Sequence, residues 1–175
     1  CHGYLLSQFM SSRINRRTDE YGEDRTLFVK EIMESIRIAC GKDFCIGIRL
    51  AAFEPTMEDG LRHAGALAPY VDFLDISYGI DSDVSACPAS FPYRPSFYAA
   101  MKIKEMLPDT PVFSVDMITD GDMARGVLAL TGIDGIDVGR GHLVNYNFAS
   151  DALAGRETGT CLHCKGGCAW GPTGN

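Results

Sequence analysis

The sequence predicts an α/β fold in which parallel strands alternate with helices. Three observations predict it. Four short apolar runs rich in β-branched residues (44–50, 71–77, 111–115 and 133–138) have the length of strands. Their near-continuous hydrophobicity is that of a parallel sheet covered on both faces. The stretches between them carry apolar residues at helical spacing, and repeated strand–helix units of this size form right-handed βαβ crossovers.

The helices follow in order. Phe28, Val29, Ile32, Met33 and Ile36 form one stripe. Thr56 is placed to cap a helix that runs through Leu61 to Leu67, with Glu58 and Asp59 in its first turn, where carboxylates complement the helix dipole. Pro95-Ser96 opens a third helix through Met101, Ile103 and Leu107, and Thr119, followed by Asp120 and Asp122, opens a fourth through Val127 and Leu128. A last helix is expected over 143–153, weakened by Asn145 and Asn147, which are poor helix formers. An open flavodoxin-like sheet and half of an eight-stranded barrel both fit this order; periodicity alone does not separate them. The long connection 77–95 holds Tyr78, Asp81, Asp83, Cys87, Phe91 and Tyr93. It reads either as a substrate-lining loop, since loops after barrel strands build active sites, or as a surface excursion.

Net charge is −7 with no basic cluster, which argues against nucleic acid or an anionic membrane as partner. No apolar run approaches the ~20 residues that cross a bilayer. The chain begins at Cys1 rather than Met, so the expectation is a piece of a longer protein, and a cytoplasmic one. Its seven cysteines are an odd number, which argues against a closed disulfide framework. Cys1, Cys40, Cys45 and Cys87 are scattered as small hydrophobes are, whereas Cys161, Cys164 and Cys168 are bunched.

The opening reads Cys1-His2-Gly3-Tyr4-Leu5-Leu6-Ser7-Gln8-Phe9, then Asn15-Arg16-Arg17-Thr18-Asp19-Glu20-Tyr21-Gly22. This long ordered pattern resembles the old yellow enzyme family of FMN-dependent oxidoreductases, at the end of the fourth barrel strand and the loop after it. Gly47-Ile48-Arg49-Leu50 resembles the family's fifth strand, and Gly139-Arg140 the segment after the eighth. The resemblance implies the C-terminal half of a TIM (β/α)8 barrel over 1–156, lacking its early strands. It implies that Tyr4 is the proton donor and His2 the ligand of a substrate carbonyl. It implies that Arg49 reaches the flavin ring, and that Gly139 and Arg140 hold the FMN phosphate. Arg49 ends an apolar strand, where a buried charge needs a partner; the flavin, or a carboxylate such as Glu54, would supply it. Arg16, Arg17 and Asp19 are expected to brace their loop through ion pairs, and Gln8 to be structural.

Three departures from the family pattern stand out. Glu23-Asp24 leads straight to Arg25, so that loop is short. Asp116, in Ser114-Val115-Asp116-Met117-Ile118, puts a carboxylate at the strand-seven half of the phosphate site. After Arg140 the match is looser.

Cys161-Leu-His-Cys164-Lys-Gly-Gly-Cys168 has C-x2-C-x3-C spacing. Three thiolates linked by glycines can converge on one metal centre, and a [4Fe–4S] cluster takes four. In the iron–sulfur branch of the family, which includes 2,4-dienoyl-CoA reductase, 2-enoate reductase and trimethylamine dehydrogenase, such a pattern follows the barrel. The resemblance therefore implies that 157–175 starts a cluster segment whose fourth ligand lies beyond Asn175. Zinc, with His163 or His142 as fourth ligand, is the alternative. The activity implied is reduction of an activated C=C bond of an unsaturated carbonyl compound by NAD(P)H. The alternatives are oxidative amine demethylation and a non-catalytic half-barrel module. In each case the rest of the barrel or another chain is expected to complete the structure.

Overall fold

The computed structural model describes residues 4–79, 81–162 and 164. They fall into two compact units. One comprises the described residues of Cys1–Asp116 together with Val127–Asp137, the other those of Met117–Gly126 with Val138–Asn175.

The first unit is built on a four-stranded parallel sheet in the order β1-β2-β3-β4. The strands are β1 (Gly47–Ala51), β2 (Phe73–Ser77), β3 (Val112–Ser114) and β4 (Gly135–Ile136). Each pairs with the next in parallel. Sequential order with right-handed crossovers carries every connecting helix to the same side, which is how a barrel is wound.

Burial along the strands alternates. Ile48, Leu50, Leu74, Ile76, Val112 and Ser114 are buried. The other face carries Gly47, Arg49, Phe73, Asp75 and Phe113, all less buried. The expectation of two apolar faces is therefore corrected. One face is hydrophobic core; the other, the inward face of a barrel, mixes glycine, aromatic and charged side chains. Phe73 and Phe113 meet edge-to-face on it, centroids 5.4 Å apart. A Cβ on Gly47 would lie 2.0 Å from the Phe73 ring and one on Gly135 2.4 Å from the Phe113 ring, so each ring fills the space a neighbouring side chain would have taken.

The strand starts share one device. Asp72, just before β2, accepts from the Ile46 N–H at 2.7 Å and from Arg37 at 2.9 Å. Asp134, just before β4, accepts from the Val112 N–H and pairs with Lys104, both at 2.8 Å. In each case an acid satisfies the N–H that opens the preceding strand and takes a cation from an adjacent helix.

The helices of this unit are α1 (Leu5–Met10), α2 (Glu20–Glu23), α3 (Leu27–Cys40), α4 (Met57–Leu67) and α5 (Pro95–Met106), with α6 (Gly121–Thr131) contributing its second half. Thr56 caps α4, its hydroxyl accepting from the Asp59 N–H at 3.1 Å. α5 packs on β2, β3 and α4. The opening of α6 differs from expectation: Asp120, not Thr119, accepts from the Met123 N–H, at 2.9 Å. The helix expected over 143–153 is two, α7 (Arg140–Val144) and α8 (Phe148–Leu153). They part where the Asn145 side chain accepts from the Asn147 N–H at 2.8 Å, because a short amide competes with the helical ladder.

The Asn-Arg-Arg-Thr-Asp-Glu-Tyr-Gly segment is a brace. Buried Asn15 donates to the carbonyls of Phe9 and Tyr21, at 2.7 Å each, and accepts from the Arg17 N–H at 3.1 Å. Arg17 pairs with Asp19 and lies 5.7 Å from the ring centres of Phe9 and Tyr21. A Cβ on Gly22 would sit 1.9 Å from the Arg17 carbonyl oxygen, so only glycine fits there.

In the second unit the Gly121 N–H donates to Thr158 at 3.0 Å and Arg125 donates to the Ala152 carbonyl at 2.9 Å. Phe148 lies under Gly141, where a Cβ would come within 2.9 Å of its ring. Among the described residues no helix is long and apolar enough to cross a membrane.

Candidate active site

The carboxyl ends of parallel barrel strands are where catalytic loops gather, and toward that edge of the sheet stand Arg49, Asp75, Glu54 and Asp116. Arg49 lies directly beside Asp75 in the strand register. Its guanidinium is 3.4 Å from the Asp75 carboxylate and donates to the Ser77 hydroxyl at 3.2 Å. The carboxylate next to Arg49 is thus Asp75 rather than Glu54. The Arg49 side chain is 45% exposed, so the charge expected to be buried stands on the open face of the sheet.

Asp75 has two unlike neighbours. Burial, first, and the Asp137 carboxylate, second, push its acid up to about 6, while Arg49 pulls the other way. Its Oδ1 is buried and has no donor.

Glu54, just past β1, is buried; its Oε1 accepts from the Asp81 N–H at 3.4 Å and its Oε2 has no partner. Burial holds this carboxyl above the usual range. Tyr78, just past β2, has a buried hydroxyl without a partner, and burial pushes that phenol up. The long connection after β2 folds back onto the sheet end. Asp83 N–H donates to the Phe53 carbonyl at 2.9 Å, and Phe91 packs on Tyr98 at 5.3 Å. Asp116, expected to oppose a phosphate, pairs with Arg94 at 3.5 Å, which compensates its charge.

Tyr4 stands at the N-cap of α1, 76% exposed. His2 lies outside the described residues, as do Cys168 and His163. In the second unit Gly139 precedes α7 and Arg140 is its first residue, exposed. A Cβ on Gly139 would meet nothing within 4 Å, so the space before this turn is open. Cys161 is partly buried and Cys164 exposed, both free thiols; the Cys161 N–H donates to the Thr119 carbonyl at 3.2 Å. Among the described residues no group of three His, Cys, Asp or Glu side chains is arranged around a metal position.

Within the first unit the Arg49 guanidinium lies on an open face of the sheet, as a contact to an electron-rich ring edge requires; within the second, the unobstructed backbone at Gly139 with the exposed Arg140 suits a phosphate. Asp75, Ser77 and Asp137 did not stand out in the sequence. Their signal was an acid inside an apolar run, in phase with Phe73 and Ser77, facing an arginine on the neighbouring strand.

The fold is that of part of a parallel (β/α)8 barrel. The chain belongs to the NADH:flavin oxidoreductase / NADH oxidase family, whose sequence profile matches residues 1–159, as its opening motif suggested. It is 35% identical over 183 residues to an NADH oxidase of Thermoanaerobacter brockii, covering 97% of this chain and 28% of that protein. It is 34% identical over 161 residues to an NADPH dehydrogenase of Bacillus subtilis, covering 86% and 46%. It is 31% identical over 167 residues to a multifunctional alkene reductase/demethylase of Caballeronia cordobensis, covering 89% and 25%. The solved structure of 6-hydroxypseudooxynicotine amine oxidase from Pseudomonas geniculata N1 shares the fold, with a TM-score of 0.69 at 24% identity over 89% of this chain and 25% of that one. The chain thus spans between a quarter and a half of the length of these relatives.

Proposed function

We propose that this chain is the C-terminal part of an FMN- and iron–sulfur-dependent oxidoreductase that reduces the activated C=C bond of an enone, enoate or enoyl thioester with NAD(P)H. The observation that carries the reading is Arg49 on the open face at the carboxyl edge of the sheet, in a chain of the flavin oxidoreductase family. FMN, when bound, supplies hydride transfer from NAD(P)H to the alkene β-carbon. The chain's own groups do the rest. Arg49 would hold the flavin ring, and Gly139 and Arg140 its phosphate. His2 donates to the substrate carbonyl oxygen, where negative charge develops. The Tyr4 phenol delivers a proton to the α-carbon; a phenol stays protonated at neutral pH, and the exposure of Tyr4 leaves it accessible. Cys161, Cys164 and Cys168 would hold an iron–sulfur cluster, which takes four thiolates and would pass single electrons. The early barrel strands, or another chain, complete the ring pocket.

The same site could run the opposite transfer, from an amine carbon, and the demethylase in the name of the Caballeronia relative keeps amine oxidation as the second reading.

The test uses the full-length protein. The expected result is a yellow-brown protein with stoichiometric FMN, iron and sulfide, bleached by NAD(P)H and recoloured by an enone. Arg49→Ala weakens FMN binding by about tenfold or more, the loss of a charge-assisted hydrogen bond. Recolouring that fails with enones, together with bleaching by a secondary or tertiary amine, would select amine oxidation. A colourless protein that binds no flavin overturns both readings.

A further inference from the structure

A polar pocket of about 240 Å³ opens in the helical layer of the first unit, between the turn that leads into α3 and the middle of α4. Its walls include Glu23, Asp24, Arg25, Lys30, Arg62 and His63. None of these belongs to a strand or to the site described above. Three cations that lie apart in the sequence, Arg25, Lys30 and Arg62, are thus brought together around one space.

Two of the three are matched. Lys30 pairs with Asp24 at 2.8 Å, and Asp24 also accepts from the Thr26 N–H at 2.9 Å and the Thr26 hydroxyl at 2.6 Å. Arg62 pairs with Asp59. Arg25 is the exception. Among the described residues no acid is paired with it, and its Nε is buried with no partner. His63 is 3% exposed, and its Nε2 is likewise buried without a partner. Guanidinium nitrogens are donors only, and a neutral imidazole carries one N–H; a buried donor left unpaired is costly. Neither acid of the wall answers them. Asp24 is already engaged, and Glu23 is exposed, where water screens its charge.

We propose that this pocket binds a small oxyanion of the phosphate class, with the Arg25 guanidinium as its main contact and the His63 ring as a second donor. The planar fork of an arginine matches two oxygens of such a group, and Lys30 and Arg62 border the same space. The volume is several times the ~30 Å³ that one water occupies in the liquid, and below the ~300–1,000 Å³ of pockets that enclose larger organic ligands. A tetrahedral oxyanion with part of its hydration fits; a nucleotide would leave its sugar and base outside.

The test titrates sodium sulfate, and separately sodium phosphate, into the full-length protein at neutral pH by isothermal calorimetry. Chloride balances the ionic strength, and FMN is present in excess so that any flavin-phosphate site is already filled. Saturable binding in the millimolar range or tighter is expected. Arg25→Gln is expected to weaken it by about tenfold or more, the loss of a charge-assisted hydrogen bond. Ala66 is a half-buried wall residue on α4. Ala66→Glu puts a carboxylate into the pocket at a position where glutamate suits the helix, and should abolish binding; it serves as the second variant should the first not fold. Glycerol phosphate identifies the source of the anion. Binding tighter than that of inorganic phosphate marks a phosphoryl group carried by a larger ligand, and equal or weaker binding marks the free ion. No saturable binding by the wild type, or binding undiminished in either folded variant, overturns the oxyanion site and leaves the proposed function untouched.

Discussion

His63 makes the folded state sensitive to acid, and the size of the effect follows from its surroundings. It lies on α4, 3% exposed, with a buried Nε2 that has no partner. Burial, first, and the neighbouring Arg62, second, hold its pKa down to about 4, against an ordinary 6.5; Arg25 adds to this, while Asp59 and Asp24 oppose it. Asp24 remains ionised over the relevant range, since Lys30 and Thr26 hold its carboxyl at about 2 against the opposing effect of burial. For a base with a depressed folded-state pKa, the unfolded chain takes up the proton first. Stability is therefore fully present above pH 6.5 and is lost as pH falls toward 4. Integrating proton binding from about pH 7.5 to about pH 4.5 gives a loss of about 2–3 kcal/mol from this one group. That is a large fraction of the stability of an ordinary domain. Urea unfolding at a series of pH values measures it, with His63→Leu as the reference, because every other titration is common to both proteins. The wild type should lose about 2–3 kcal/mol more than the variant over this window. At pH 7.5 the two should differ by no more than about 1.5 kcal/mol, since the imidazole nitrogen makes no bond that leucine would break. Parallel losses in the two proteins would refute the argument.

Two further changes probe α4 by thermal or urea unfolding. Gly60→Ala would gain about 1 kcal/mol in an exposed helix. Here the new Cβ would lie 2.5 Å from the Phe53 backbone nitrogen, so the variant should instead lose about 1–3 kcal/mol through overpacking; a gain would contradict the geometry. Thr56→Ala removes the hydroxyl that accepts from the Asp59 N–H and should cost about 1 kcal/mol, with Thr56→Asp restoring it; no change on removing the cap would show that water replaces it.

The opening motif identified the family without disclosing its own work. Asn15, Arg17 and Gly22 clamp α1 to the turn before α3 through hydrogen bonds, ring contacts and a close backbone approach. These are fold requirements, and they are what makes the pattern recognisable. Arg49 was legible for the opposite reason, as a charge that an apolar strand does not explain.

Much of this protein follows from the sequence alone. Alternating strands and helices, the Thr56 cap, the weakness of the last helix at Asn145 and Asn147, and the family motif are all local, because periodicity, capping and close-approach glycines are written within a few residues. Tertiary structure decided what depends on neighbours distant in the chain. Register set Asp75 beside Arg49, 26 positions apart, and the return of β4 to the same sheet brought up Asp137. Burial raised the acid of Asp75, and Asp116 found Arg94. A carboxylate's charge state depends on burial and on the charges around it, and only the assembled sheet supplies both.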